Sequence, residues 1–284
     1  MDLTRALARL LPARLRPARA PRVAVIRLQG AIGITRPGAP GLSDAAMAPV
    51  IERAFRRGRP AAVALIINSP GGSPVQSSLI AARIRRLAEE KQIPVHAFVE
   101  DVAASGGYWL ATAADDIWAD ETSVVGSIGV ISAGFGLDQL IAKHGVERRV
   151  HTAGGSKSFL DPFRPEKPED VARLTRLLED MHRAFKAQVV ARRGTRLAAG
   201  ADLFTGEVWT GAQALETGLI DGIGHAVPKL RALYGDKVRL VPYGQKRGWL
   251  GRFGAQAGSA LGAEAADALI GAAEERALWA RYGL

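Results

Sequence analysis

Cysteine is absent from the 284 residues. That excludes disulfides, thiolate nucleophiles and cysteine-held metals, and it leaves the redox compartment open. Lysine is scarce, with eight lysines against thirty arginines. No apolar run reaches the ~20 residues of a membrane-spanning helix. The N-terminal stretch MDLTRALARLLPARLRPARAPR is interrupted by Arg9, Pro12 and Arg14, so it lacks the ~7–15-residue apolar core of a secretory signal. The expected location is therefore cytoplasmic, with the inner-membrane surface as the place of any peripheral contact.

What is present describes an ordinary globular chain, 48% hydrophobic and 23% charged. The net charge is +10. A strong basic balance suits nucleic acid or an anionic membrane surface. Here the arginines are dispersed and no nucleic-acid-binding signature accompanies them. A solvated surface is the plainer reading, acidic lipid comes next, and no nucleic-acid partner is expected. Residues 1–21 form a basic segment with six arginines (counting Arg22) and one aspartate, readable as a short amphipathic helix or as a tail.

Strands and helices alternate along the chain. RVAVIRLQG (22–30) and AAVALIIN (61–68) read as strands, the second as a continuous apolar run of the buried parallel kind. PVHAFVE (94–100), DIWAD and SVVGSIGVIS (123–132) continue that series, and VERRVHTAG (146–154) reads as a further strand. Helices are expected over 43–58, 75–92, YWLATAAD, 135–145, 168–194 and 209–218, with Ser43 and Asp44 as caps of the first. The alternation predicts an α/β domain with a mainly parallel sheet over 22–230. Residues 231–284 read as an extension with an Ala-rich C-terminal helix.

Two loops share one design: apolar strand, glycine pair, helix. In ALIINSPGGSP, Gly71 and Gly72 free backbone N–H groups at a helix start. Such groups can hold the anionic oxygen of a tetrahedral intermediate, or they can simply mark a tight turn. In EDVAASGGYW, Ser105 stands at the mouth of the sheet, followed by Gly106 and Gly107. A helix N-cap is the plain alternative for this serine. A serine nucleophile needs a base. The histidines (His96, His144, His151, His182 and His225) show no triad pattern. Lys157, in HTAGGSKSFLDPF, is the other base available, because burial can strip a lysine of its proton. A solvated loop lysine is the plain reading. No metal or cofactor motif is visible.

Five segments together resemble the signal peptide peptidase A family of serine peptidases: INSPGG (67–72), AASGGYWLATAAD (103–115), VVGSIGVI (124–131), TAGGSK (152–157) and EVWTGAQALETGLIDGIG (207–224). INSPGG alone also resembles the Clp protease and crotonase families. The resemblance implies a Clp/crotonase-like fold of repeated ββα units and a Ser-Lys dyad. Ser105 matches the nucleophile, Lys157 the general base, Gly71 the oxyanion glycine with Gly106 beside it, and Ser127 a hydroxyl that helps position the lysine. It implies an endopeptidase acting on unstructured or apolar peptides, without cofactor, in a homo-oligomeric ring whose serine and lysine can come from neighbouring units. The family's usual N-terminal membrane anchor is not seen. Two alternatives stay open. One is an acyl-CoA enzyme of crotonase type using Glu100 or Asp101. The other is a non-catalytic oligomeric scaffold at the membrane surface.

Overall fold

A computed structural model describes residues 20–34, 41–244, 272–273 and 275–283. The expected basic N-terminal helix or tail lies outside these residues.

Eight strands form one sheet: β1 (Arg22–Gln29), β2 (Ala62–Ser69), β3 (Val95–Ala104), β4 (Asp116–Ala119), β5 (Val124–Gly126), β6 (Val208–Thr210), β7 (Gly222–Ile223) and β8 (Arg239–Tyr243). The main path runs β6-β5-β3-β2-β1-β8. Every pair is parallel except β5 with β6. The mainly parallel α/β sheet expected from the alternation is thus what the chain forms. The stretch read as an extension supplies β8, which edges the sheet against β1.

β3 carries two neighbours in series along one edge. Its first half pairs with β4 (His96↔Asp116 to Phe98↔Trp118) and its last residues pair with β5 (Val102↔Val124 to Ala104↔Gly126). That arrangement needs a strand of ten residues, longer than its apolar run suggests. It delivers the chain to Ser105 at the open end of the sheet.

Helices cover both faces. α1 (Asp44–Arg56) turns Met47, Val50, Ile51, Ala54 and Phe55 inward at helical spacing, and Ser43 caps it by accepting from Ala46 N–H at 3.3 Å. α2 (Pro74–Lys91) packs beside it, and the short α3 (Gly106–Ala111) is wholly buried. α6 (Gly211–Glu216) opens with a capping box between Thr210 and Gln213. On the opposite face α7 (Ala226–Tyr234) inserts Leu230 against Val23, Ala62, Ala64, Ile66 and Phe98. β2 is buried along its whole length between these layers, as its unbroken apolar run requires.

Between β5 and residue 193 the elements differ from those the sequence predicts. The helix expected over 135–145 is shorter, α4 (Asp138–Lys143). VERRVHTAG is not a strand: residues 146–154 carry no strand pairing and lie almost entirely exposed. Its β-branched residues have no neighbouring strand to complete a ladder. α5 (Pro168–Arg193) is 26 residues long, yet it buries only Phe185, Val189 and Arg193, all in its last third. From 129 to 184 no residue is buried.

The foot of α5 is held by polar bonds. Phe185 stacks on Trp109 at 4.9 Å, and Arg192 donates to the carbonyls of Thr112 and Ala114. Arg193, with its side chain 2% exposed, donates to Asp221 at 2.6 Å and to the Gly218 carbonyl at 2.9 and 2.8 Å. Burial pushes the Asp221 carboxyl up, but the hydrogen bond and charge of Arg193 outweigh it and hold it below its ordinary range. Replacing Arg193 by Met strands the Gly218 carbonyl and takes one donor from Asp221, which keeps Arg196 and the Ile117 N–H. It is expected to cost about 2–3 kcal/mol and to lower the melting temperature by roughly 6 °C, read by thermal unfolding. A depressed carboxylate stabilises above its unfolded pKa and stops doing so as pH falls through its folded one. The difference between parent and Arg193→Met should therefore shrink as pH drops below the ordinary value of 3.8.

Candidate active site

Ser105 follows β3 directly and precedes the buried glycines of α3. Its backbone sits at φ 51°, ψ −121°, in a region that side chains avoid, at a cost of about 1–3 kcal/mol. Such a turn lifts a hydroxyl out of the line of the strand. The side chain makes no capping hydrogen bond, so the N-cap alternative does not hold. The Ser105 N–H donates to Gly126 O at 2.7 Å, which pins the turn to β5.

The two glycine loops meet here. A methyl on Gly71 would stand 2.8 Å from Ser105 Cβ and 3.0 Å from Gly106 N. A methyl on Gly106 would strike Ser77 Oγ, and one on Gly107 would strike the Ser69 carbonyl. Glycine is required because the backbones touch. The N–H of Gly71 is engaged, donating to Ser69 Oγ at 3.2 Å, and that hydroxyl in turn donates to Gly30 O at 2.7 Å. The N–H groups of Gly72 and Gly106 have no hydrogen-bond partner among the described residues. They lie close together, since the methyl position on Gly106 is 3.5 Å from Gly72 N. The sequence marks the pair Gly71–Gly72 but does not say which amide is left free.

Ser127 is brought to the site by register. Ala104 pairs with Gly126, so Ser105 and Ser127 leave adjacent strands side by side, both with φ 51°. Ser127 N–H donates to Glu207 O at 2.7 Å, and a methyl on Gly126 would collide with the Trp209 ring. The next carbonyl, Ile128 O, is held by His182 Nε2 of α5 at 3.1 Å. This fixes the loop that carries Ser127, and no local motif announces it.

Lys157 is not brought to Ser105 within the chain. It is exposed, in a turn closed by its own N–H to Gly154 O at 3.1 Å, and its side chain has no partner among the described residues. The histidines do not replace it. His96 is buried between Asp116 at 2.9 Å and the Tyr234 hydroxyl at 2.7 Å, at the opposite end of β3, on the order of 25 Å from Ser105. His225 pairs with Asp120 at 3.0 Å. Glu100 is bound to Arg27, and Asp101 accepts from Asn68 Nδ2 at 2.6 Å. Among the described residues no cluster of His, Asp and Glu could hold a metal.

Residues 87–234 match the model of peptidase family S49, a span that includes Ser105, Ser127 and Lys157. The chain belongs to peptidase family S49. The relatives it matches include proteins named as SppA and SohB proteases. Among its relatives, "Serine protease SPPA, chloroplastic" of Arabidopsis thaliana is 33% identical over 210 residues, covering 72% of this chain and 30% of that protein. "Probable protease SohB" of Haemophilus influenzae is 33% identical over 196 residues, covering 69% of this chain and 55% of that protein. A protein of Brucella melitensis named "Na(+)/H(+) antiporter NhaA" is 50% identical over 287 residues, covering 98% of this chain but 39% of its own length. The S49 chain thus spans about two-fifths of that Brucella relative.

Among the described residues no helix of this S49 peptidase is long and apolar enough to cross a membrane.

Proposed function

We propose that the chain is an endopeptidase for unstructured or apolar peptide segments, such as remnant signal peptides or misfolded stretches, working through Ser105 and Lys157. Lys157 Nζ takes the proton from Ser105 Oγ, which attacks the scissile carbonyl. The amides of Gly72 and Gly106 hold the oxyanion. The lysine ammonium then gives its proton to the leaving amine, and water releases the acyl group by the reverse sequence. Ser127 orients the lysine. The observation that carries this reading is the uncapped hydroxyl of Ser105, on a strained turn beside two unpartnered amides.

The working form is a ring in which Lys157 serves a neighbour's Ser105. Support comes from the stretch 129–184, which buries nothing in its own chain and leaves Ile131, Phe135, Leu140 and Val146 in water. A position at a membrane surface is supported by the Brucella relatives, whose printed activity operates across a membrane.

The test is a fluorophosphonate probe applied to the intact protein, with the modified residue mapped and hydrolysis of unfolded casein followed alongside. Labelling is expected at Ser105 alone, and prior labelling should block hydrolysis. Labelling elsewhere, or hydrolysis that survives complete labelling of Ser105, would overturn the assignment.

A further inference from the structure

The ion pairs of this protein are unevenly distributed. Arg27, Arg83, Arg85, Arg86, Arg193 and Arg196 each have a carboxylate within 3.4 Å. Other arginines have none among the described residues, and five of these, Arg22, Arg56, Arg57, Arg59 and Arg239, stand close in the fold (the rest, Arg53, Arg164, Arg176, Arg231, Arg276 and Arg281, are counted apart). The five gather at one end of the sheet, where β1 and β8 begin and α1 ends. Arg22 and Arg239 are register partners on adjacent strands. The Arg22 guanidinium lies against Gly58, between Arg57 and Arg59, so close that a methyl there would collide with it. Arg53, one turn before the end of α1, is turned the other way and donates to Gly244 O, just past the carboxyl end of β8, at 3.1 Å. Lys237 is exposed beside them, and of the nearby acids Glu52 is occupied by Arg83 and Asp236 alone stays unpaired. Like charges held side by side disfavour the folded state. With 28 acidic residues in the chain, pairing them was open to this sequence.

We propose that this end of the sheet is a docking face for an anionic lipid surface, an inference that rests on the membrane-surface reading above. Charge complementarity is the first argument. A second is apolar: Leu233, 46% exposed, stands at the end of α7, from which the chain runs through Lys237 to Arg239. A basic surface with an exposed leucine suits the headgroup boundary. A single-stranded nucleic acid would need aromatic platforms on which bases stack, and among the described residues no exposed aromatic stands beside these arginines.

The face has a consequence for substrate. β1 and β2 are eight residues long, and Ser105, Gly71 and Gly72 lie at the carboxyl ends of the strands. The docking face is at the amino ends, roughly 25 Å away. Docked in this way, the protein turns its nucleophile toward water, so peptides reach it from the aqueous side and not from within the bilayer.

The experiment is co-sedimentation of the full chain with vesicles of phosphatidylcholine alone or with about a third phosphatidylglycerol. Binding is expected only to the anionic vesicles and should fall with added salt. Each arginine is expected to be worth roughly fivefold. The triple variant Arg56→Glu, Arg57→Glu, Arg59→Glu should thus bind at least about a hundredfold more weakly. The matching triple Lys variant should bind like the parent. If the reversed triple does not keep the parent's melting temperature, Arg59→Glu with Lys237→Glu takes its place. Parent-like binding by a folded reversed variant overturns the proposal, as does equal binding to neutral vesicles. So does a loss that follows only from replacing the five N-terminal arginines by Ala. Tighter binding to duplex DNA than to anionic vesicles would overturn it in favour of nucleic acid. Vesicle binding is read without hydrolysis, so failure of the peptidase mechanism leaves this result legible.

Discussion

Replacing Ser105 by Ala is expected to abolish peptide hydrolysis, a loss of about 10⁴- to 10⁶-fold in kcat, since removal of a nucleophile leaves only what substrate binding and the oxyanion site retain. The fold should survive. The hydroxyl makes no capping bond, and the turn is held by backbone groups, Ser105 N–H to Gly126 O and Trp109 N–H to Ser105 O. Ser105→Gly supplies an internal control. At φ 51° a side chain is strained and glycine is not. The glycine variant should be as inactive as the alanine variant yet more stable, by about 1 kcal/mol. An inactive alanine variant that also melts early would mean that the serine was structural. Casein hydrolysis and thermal unfolding on the same preparations separate the two outcomes.

Lys157→Ala should be equally inactive, and mixing it with Ser105→Ala should restore activity. A lysine that is to accept a proton has to be withdrawn from water. Lys157 is exposed in its own chain, and its segment from 129 to 184 buries nothing there. Phe135, 83% exposed, lies in the same stretch. A second copy laid over this segment would cover the apolar residues and enclose the lysine together. In a ring assembled at random from equal amounts of the two variants, a site is intact when its serine comes from a Lys157→Ala chain and its lysine from a Ser105→Ala neighbour. About a quarter of parental activity is then expected. Activity at background in a mixture shown by sizing to have exchanged subunits would place the lysine with the serine of its own chain.

Much of the scaffold could be read locally. β1, β2, α1, α2 and α5 lie within a residue or two of their sequence signals, because each signal is a periodicity or a cap that neighbouring residues supply themselves. Ser43 illustrates this: the hydroxyl that marks the start of α1 accepts from Ala46 N–H, three residues on. VERRVHTAG fails for the complementary reason. Its alternating β-branched residues satisfy a strand's local requirement, but a strand exists only when another chain segment completes its hydrogen bonds, and none does here.

The site divides along the same line. Residue types and order pointed to Ser105 and to the glycine pairs, because a hydroxyl followed by glycines and a strand ending in SPGG are properties of short windows, while Ser127 came only from the family resemblance. Whether the Ser105 hydroxyl caps a helix, which glycine amide stays unpartnered, and that His182 braces the loop of Ser127 depend on how the fold settles around them, with the segments involved up to 54 residues apart. The sorting of the arginines is of this kind too. The +10 charge is written in the composition, but Arg22, Arg59 and Arg239 become neighbours only when β1 is laid between β2 and β8. Sequence alone therefore determined the α/β alternation and the peptidase family, since these rest on contiguous residues. Tertiary structure alone decided which groups remain unpaired, both the amides facing Ser105 and the arginines at the far end of the sheet, because an unpaired group is defined by everything the fold could have placed beside it and did not.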